Sequence, residues 1–128
     1  RFSDPIKGEL EDFVTVEALM RLLDLARSRL GAGDYRGAAR TTVKVIGIGG
    51  TLNNPKIFAV QEAWLLLAEI HAEYGDLQRA RIFFRTASEK ADEEIERLRQ
   101  QQGAEGGLLR DAYANEWKAK VAELQRRL

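Results

Sequence analysis

The sequence predicts an all-α fold: a stack of about six helices arranged as helical hairpins, with a last helix capping the C-terminal end. Three observations lead there. Apolar residues recur at helical spacing on both sides of the turn Gly75-Asp76, between Gln61 and Ala87. The same pattern stands 42 positions earlier in the chain. The final stretch carries Leu109, Tyr113, Trp117, Val121, Leu124 and Leu128 at steps of three and four, the period of one helix face.

Composition bounds the function. At 128 residues with 45% apolar content, the chain is long enough for one domain with its own core. Its 20 basic and 20 acidic residues cancel, which argues against a broad electrostatic grip on nucleic acid or on an anionic membrane and leaves protein or peptide partners. The absence of cysteine removes disulfides, cysteine-zinc sites and thiol nucleophiles; the cytoplasm is the expected compartment, with the periplasm equally compatible. No apolar run approaches the roughly 20 residues of a membrane span, so no membrane insertion is expected. A chain that opens on Arg1 is expected of a processed form or a piece of something longer.

Residues 1–14 form an arm or short helix, in which Asp4 is a cap, Pro5 suits a first helical position, and Leu10 and Phe13 are the apolar anchors. Residues 15–50 form the first hairpin. Thr15 caps a helix from about Val16 to Ala32, whose Leu19, Leu22, Leu23, Leu25, Ala26 and Leu30 make a wide core-facing stripe. Gly33 ends it, and Asp34 caps a second helix reaching Ile46. Residues 51–102 form the second hairpin. Asn54-Pro55 marks a start near Pro55, and Trp64, Leu67, Ala68 and His71 are the buried positions of that helix. After Gly75-Asp76 the next helix presents Ala80, Phe84 and Ala87, the small residue at 80 letting the backbones approach. It continues to about Gln102 on the stripe Ala87, Ala91, Ile95 and Leu98, supported by Glu93–Arg97 and Glu96–Arg99 pairs. Residues 103–128 hold a flexible Gly103–Gly107 linker and the capping helix that covers this stripe.

The internal repeat fixes the register. Leu22, Leu25, Ala26, Gly33, Asp34, Ala38 and Val45 each lie 42 positions before Trp64, Leu67, Ala68, Gly75, Asp76, Ala80 and Ala87, and five of these seven pairs are identities. This spacing resembles the tetratricopeptide repeat (TPR) family. The family's period is about 34 residues, so roughly eight extra residues are expected between the copies, in Gly47–Ile57. The resemblance implies a right-handed α-solenoid whose first helices line a concave groove that binds a protein or peptide. Carried onto this sequence, the groove-lining pattern falls on Leu23, Arg27 and Leu30 in the first copy and on Glu62, Leu65, Glu69 and Glu73 in the second. The same leucines read equally well as core. Members that grip a terminal carboxylate use lysine, asparagine and arginine at set places; here those places hold Leu23, Arg27 and Leu66, which disfavours a chaperone-tail receptor.

Catalysis finds little support. Gly47-Ile-Gly-Gly50 is not followed by Gly-Lys-Ser/Thr and reads as a structural loop. His71 is the only histidine and stands where the repeat family usually has tyrosine, which makes it a packing residue. Asp92-Glu93-Glu94 with Glu96 reads as a solvated helix face with arginines at pairing distance. Serines and threonines have no neighbouring base. No enzyme activity, metal or cofactor is expected. The competing expectation to a peptide-binding groove is an assembly element, or a regulatory part of a larger multi-domain protein. In that reading two repeats are few, and the apolar groups Phe83, Tyr113 and Trp117 form an oligomer surface, most simply of a homodimer.

Overall fold

The computed structural model describes residues 4–51, 58–100 and 104–128. They form five helices: α1 (Asp4–Gly31), α2 (Tyr35–Gly49), α3 (Phe58–Tyr74), α4 (Leu77–Gln100) and α5 (Ala104–Gln125). No strand occurs among the described residues. Each helix packs on the next in the chain, and α1 also packs on α3.

The two turns are built alike. Gly33 and Gly75 have φ of 81° and 99°, left-handed values at which glycine pays no Cβ penalty. The Asp34 N–H donates to the Arg29 carbonyl at 2.9 Å and the Gly33 N–H to the Leu30 carbonyl at 3.0 Å. Asp76 and Gly75 repeat the arrangement on His71 at 2.9 Å and Ala72 at 3.2 Å, so both helices end in a Schellman motif. The aspartates then cap the next helix: Asp34 Oδ1 accepts from the Gly37 N–H at 2.9 Å and Asp76 Oδ1 from the Arg79 N–H at 3.1 Å. The rings of Tyr35 and Tyr74 meet edge to face at 5.5 Å, which brings the two turns to one edge of the molecule.

Two cores result. The first joins Leu19, Leu23, Ala26 and Leu30 of α1 with Ala38 and Val45 of α2 and Ala59, Ala63, Leu66 and Ile70 of α3. The second joins Leu65 and Ala68 of α3 with Ala87 and Ala91 of α4 and Trp117 and Leu124 of α5. Helix α3 serves both and is therefore apolar nearly all round. Ala80 and Ala38, one in each hairpin, are fully buried, as the close approach of paired helices requires.

Several sequence expectations are corrected. Helix α1 runs unbroken through Thr15, because only Gly8 interrupts a helix-compatible sequence between Pro5 and Gly31. Five helices thus stand where about six were expected. Leu25 is 42% exposed although its repeat counterpart Leu67 is 3% exposed; among the described residues no helix packs outside α1 to cover it. Gly47–Gly49 belong to the last turn of α2 instead of a loop. A Cβ on Gly49 would overlap the Val60 methyl, so this glycine allows α2 and α3 to approach. Helix α5 starts at Ala104 and includes Gly106 and Gly107, where a linker was expected. Phe83 packs back on α3, with its ring 6.1 Å from Trp64 and 5.0 Å from His71, whereas a place on an oligomer surface was expected for it. Glu94 is 3% exposed, not solvated. The Arg97 guanidinium neutralises it, with Nε donating to both carboxylate oxygens at 3.0 and 3.1 Å and Nη2 closer still, and this supplants the expected Glu93–Arg97 pair. The expected start at Pro55 and the side chains of Asp4, Leu10, Phe13, Leu98, Leu109 and Tyr113 lie outside the described residues.

Candidate functional site

Helix α5 runs parallel to α3. Its Lys120 reaches Glu62, and Arg127, in the turn just past its end, reaches Glu69 and Glu73, so the contacts advance along α3 and α5 together. Helix α1 approaches the same strip of α3 from the other side through Arg27. The Arg27 Nη2 donates to Glu62 Oε2 at 3.2 Å and the Lys120 Nζ donates to Glu62 Oε1 at 2.8 Å. One half-buried carboxylate therefore ties three helices together.

Between these helices lies a cleft of about 180 Å³ lined by Arg27 of α1, by Glu62, Leu65, Leu66 and Glu69 of α3, by Lys120, Glu123 and Leu124 of α5, and by Arg127 in the turn that follows α5. Its floor is apolar, from leucines 8%, 3% and 4% exposed. Its rim is charged and internally paired. Besides the Glu62 contacts, Arg127 Nη1 donates to Glu69 Oε1 at 3.4 Å and Nη2 to Glu73 Oε1 at 2.9 Å. The Arg127 guanidinium is held above its ordinary range chiefly by the hydrogen bond to Glu73, against the opposing effect of burial and with help from the charges of Glu73 and Glu69. Lys120 also lies 3.3 Å from Glu116, Arg27 lies 3.5 Å from Asp24, and Glu123 lies 3.2 Å from Arg126. Each such partly exposed pair contributes about 0–1 kcal/mol, little enough for a competing charge to exchange with.

The structure distributes the sequence-predicted residues unevenly. Arg27, Glu62, Leu65 and Glu69 come together in the cleft, and Glu73 joins them through Arg127. Leu23 and Leu30 do not: they are 0% and 8% exposed within the first core, because that face of α1 is the one turned to α2 and α3. Of the residues expected on an oligomer surface, Trp117 is 6% exposed inside the second core and Phe83 is half-buried against it, so both are consumed within the domain. The side chain of Tyr113 lies outside the described residues.

Sequence reasoning missed the α5 half of the cleft. A signal was present: Lys120 and Arg127 are seven apart, as are Glu62 and Glu69, so two helices laid side by side could match opposite charges at both positions. Among the described residues no group of three histidine, aspartate or glutamate side chains could hold a metal ion. No described helix is long and apolar enough to cross a membrane. Comparisons with protein-family models, with curated proteins and with solved structures give no match.

Proposed function

We propose that this domain is a non-catalytic, tetratricopeptide-like protein-interaction module, a short right-handed α-solenoid that binds a peptide segment in the cleft between α1, α3 and α5. The observation that carries this reading is the convergence of Arg27, Glu62, Leu65 and Glu69, from the first helices of two sequence repeats, on one cleft with an apolar floor and a charged rim. The 42-residue repeat and the two matching Gly-Asp turns support the family likeness. The cleft is the size of one or two side chains, not of a folded partner. It suits an extended segment that lays an aliphatic side chain on Leu65, Leu66 and Leu124 and exchanges its own charges of both signs with the paired rim, as in peptide recognition by helical grooves.

The test starts from peptides selected on the immobilised wild-type domain. The double variant Arg27→Glu, Glu69→Arg sets a glutamate against Glu62 and an arginine against Arg127, reversing both sides of the rim. The selected peptides should lose at least about tenfold in affinity, since like charges at an interface oppose docking. Helix content should hold, with stability changing by no more than about 2 kcal/mol for two exposed pairs. Peptides that bind the double variant as well as the wild type would exclude the cleft as their site.

A further inference from the structure

Helix α2 packs on α1 and α3, which leaves its outer face open. Along that face Arg36, Arg40 and Lys44 recur every four residues, and all three are exposed. Among the described residues none of them makes an ion pair or hydrogen bond, although most charged side chains of the cleft rim are paired. The row spans about 12 Å at the helical rise of 1.5 Å per residue. Apolar residues accompany it: Ala39 is half-buried and Val43 is 54% exposed.

At the N-terminal end of this row a second cavity, of about 220 Å³, is lined by Tyr35, Arg36, Ala39, Ile70, His71 and Tyr74. Ile70 is 2% exposed and forms a closed floor. The two tyrosine rings form one wall, and Tyr74, packed edge to face on Tyr35, still keeps 68% of its surface in water. The nearby carboxylates are already engaged. Asp34 accepts from the Gly37 N–H, and Asp76 accepts from the Arg79 N–H and lies 3.6 Å from the Arg79 guanidinium. His71 is held below its ordinary value by burial first, with Asp76 opposing and Arg79 reinforcing, so it presents a neutral ring to the cavity at neutral pH. The positive potential here therefore comes from the two arginines and the lysine, next to an apolar socket.

We propose that the outer face of α2 is a second docking site: it binds an acidic peptide segment along Arg36, Arg40 and Lys44 and seats one apolar side chain of that segment against the Tyr35–Tyr74 ring pair, in the cavity floored by Ile70. The charge row supplies attraction and direction, and the socket supplies register, because only one residue of the segment can fill it. A chain of zero net charge that leaves three cations unpaired on one helix face has a local preference for acidic partners that its overall composition conceals. The site shares no lining residue with the α1–α3–α5 cleft, so the two readings stand or fall separately.

The probe is a fluorescently labelled oligo-glutamate peptide carrying one central phenylalanine, followed by anisotropy at low salt. A peptide with alanine in place of the phenylalanine, a polythymidine oligonucleotide and phosphatidylserine vesicles serve as comparisons. The phenylalanine peptide should bind, the alanine peptide should bind at least about fivefold more weakly, and the double variant Arg36→Glu, Arg40→Glu should reduce binding at least about tenfold. Tyr74→Ala, at an exposed position, should bring the phenylalanine peptide down to the affinity of the alanine one, while Arg85→Glu, at an exposed position of α4 outside both cavities, leaves both unchanged. Equal binding of the two peptides, or indifference to the charge reversal with helix content intact, overturns the proposal. So does preference for the oligonucleotide or the vesicles over the peptide through the same arginines.

Discussion

Replacing Trp117 with alanine tests how α5 is held and, with it, whether the cleft exists in solution. Trp117 is 6% exposed and packs among Leu65, Ala68, Ala87, Ala91 and Leu124. A large-to-small change at such a site costs about 3–5 kcal/mol, part of it lost burial and part the void left behind. The upper half of that range applies, because three of the neighbours are alanines on rigid helices and cannot lean in to fill the space. For a domain of this size the loss lowers Tm by more than about 10 °C. The indole also anchors α5 close to Lys120, so the variant should release α5 first and break its pairs with Glu62. Thermal denaturation followed by circular dichroism gives the global cost, and hydrogen exchange of the α5 amides gives the local one. Trp64→Ala is the internal control: Trp64 is only half-buried, with Phe83 on one side and the Lys90 ammonium 6.0 Å from its ring, and should cost clearly less. A Trp117→Ala variant with unchanged Tm and unchanged α5 protection, or one milder than Trp64→Ala, would refute the packing described. By the same reasoning Trp117→Lys should loosen α5, and not merely separate two copies of the chain.

Ala80 is fully buried between α3 and α4, so Ala80→Leu should destabilise by about 1–3 kcal/mol through overpacking; an unchanged midpoint in urea would contradict the helix contact. Gly75→Ala forces an L-residue to φ of 99° and should cost about 1–2 kcal/mol, whereas Gly31→Ala, with open space at its Cβ, should be neutral or mildly stabilising; equal effects would count against the left-handed turn. His71 gives a pH signature. Its folded-state value lies below the ordinary 6.5, with burial the main cause, so the unfolded chain binds more protons in that window. Stability is therefore fully present above about pH 6.5 and declines as the pH falls through the folded value. His71→Gln should flatten that part of the profile, and a wild-type profile identical to that of the variant would show that His71 is not the group responsible.

Local rules made the hairpins legible. Gly33-Asp34 and Gly75-Asp76 announce a helix end and the next helix start within two residues, and both pairs adopt the expected geometry. Where the sequence misled, a single-residue signal was outweighed by its surroundings. Thr15 has the chemistry of a cap, yet a cap forms only where a helix begins, and nothing stops α1 before Gly31. Gly106 and Gly107 favour a flexible segment by propensity at about 1 kcal/mol each, but they are helical within α5. Phe83 and Phe84 are adjacent, and no spacing rule says that both pack against the second core, with the Phe83 ring meeting Trp64 and His71. At the cleft, the α3 half was readable from the repeat. The α5 half required knowing that the last helix lies parallel to α3, a tertiary fact that heptad-spaced charges suggest only in retrospect.

The 42-residue offset also weighs the assembly reading against the docking one. Helix α3 inserts Ala59, Ala63, Leu66 and Ile70 into the first core. Their counterparts one repeat earlier are Glu17, Arg21, Asp24 and Ser28, all exposed on α1. The face of α1 on which a further hairpin would stack is thus polar, the property of a terminal unit in a repeat array. Met20 and Leu25 are exposed there too, but at five residues' separation they lie about 140° apart around the helix and make no common patch. At the other end, the alanine stripe of α4 is already covered by Trp117 and Leu124. Stacking on the outer side of α1 or on the alanine stripe of α4 therefore has little apolar surface to gain among the described residues. What remains open is lateral: the leucine-floored cleft beside α5 and the basic face of α2 with its tyrosine socket. Those two surfaces, one with a paired rim and one with unpaired cations, differ in the charge they select, so a partner bound by one is distinguishable from a partner bound by the other through salt dependence alone: the cleft should be mildly sensitive to ionic strength and the α2 face steeply so.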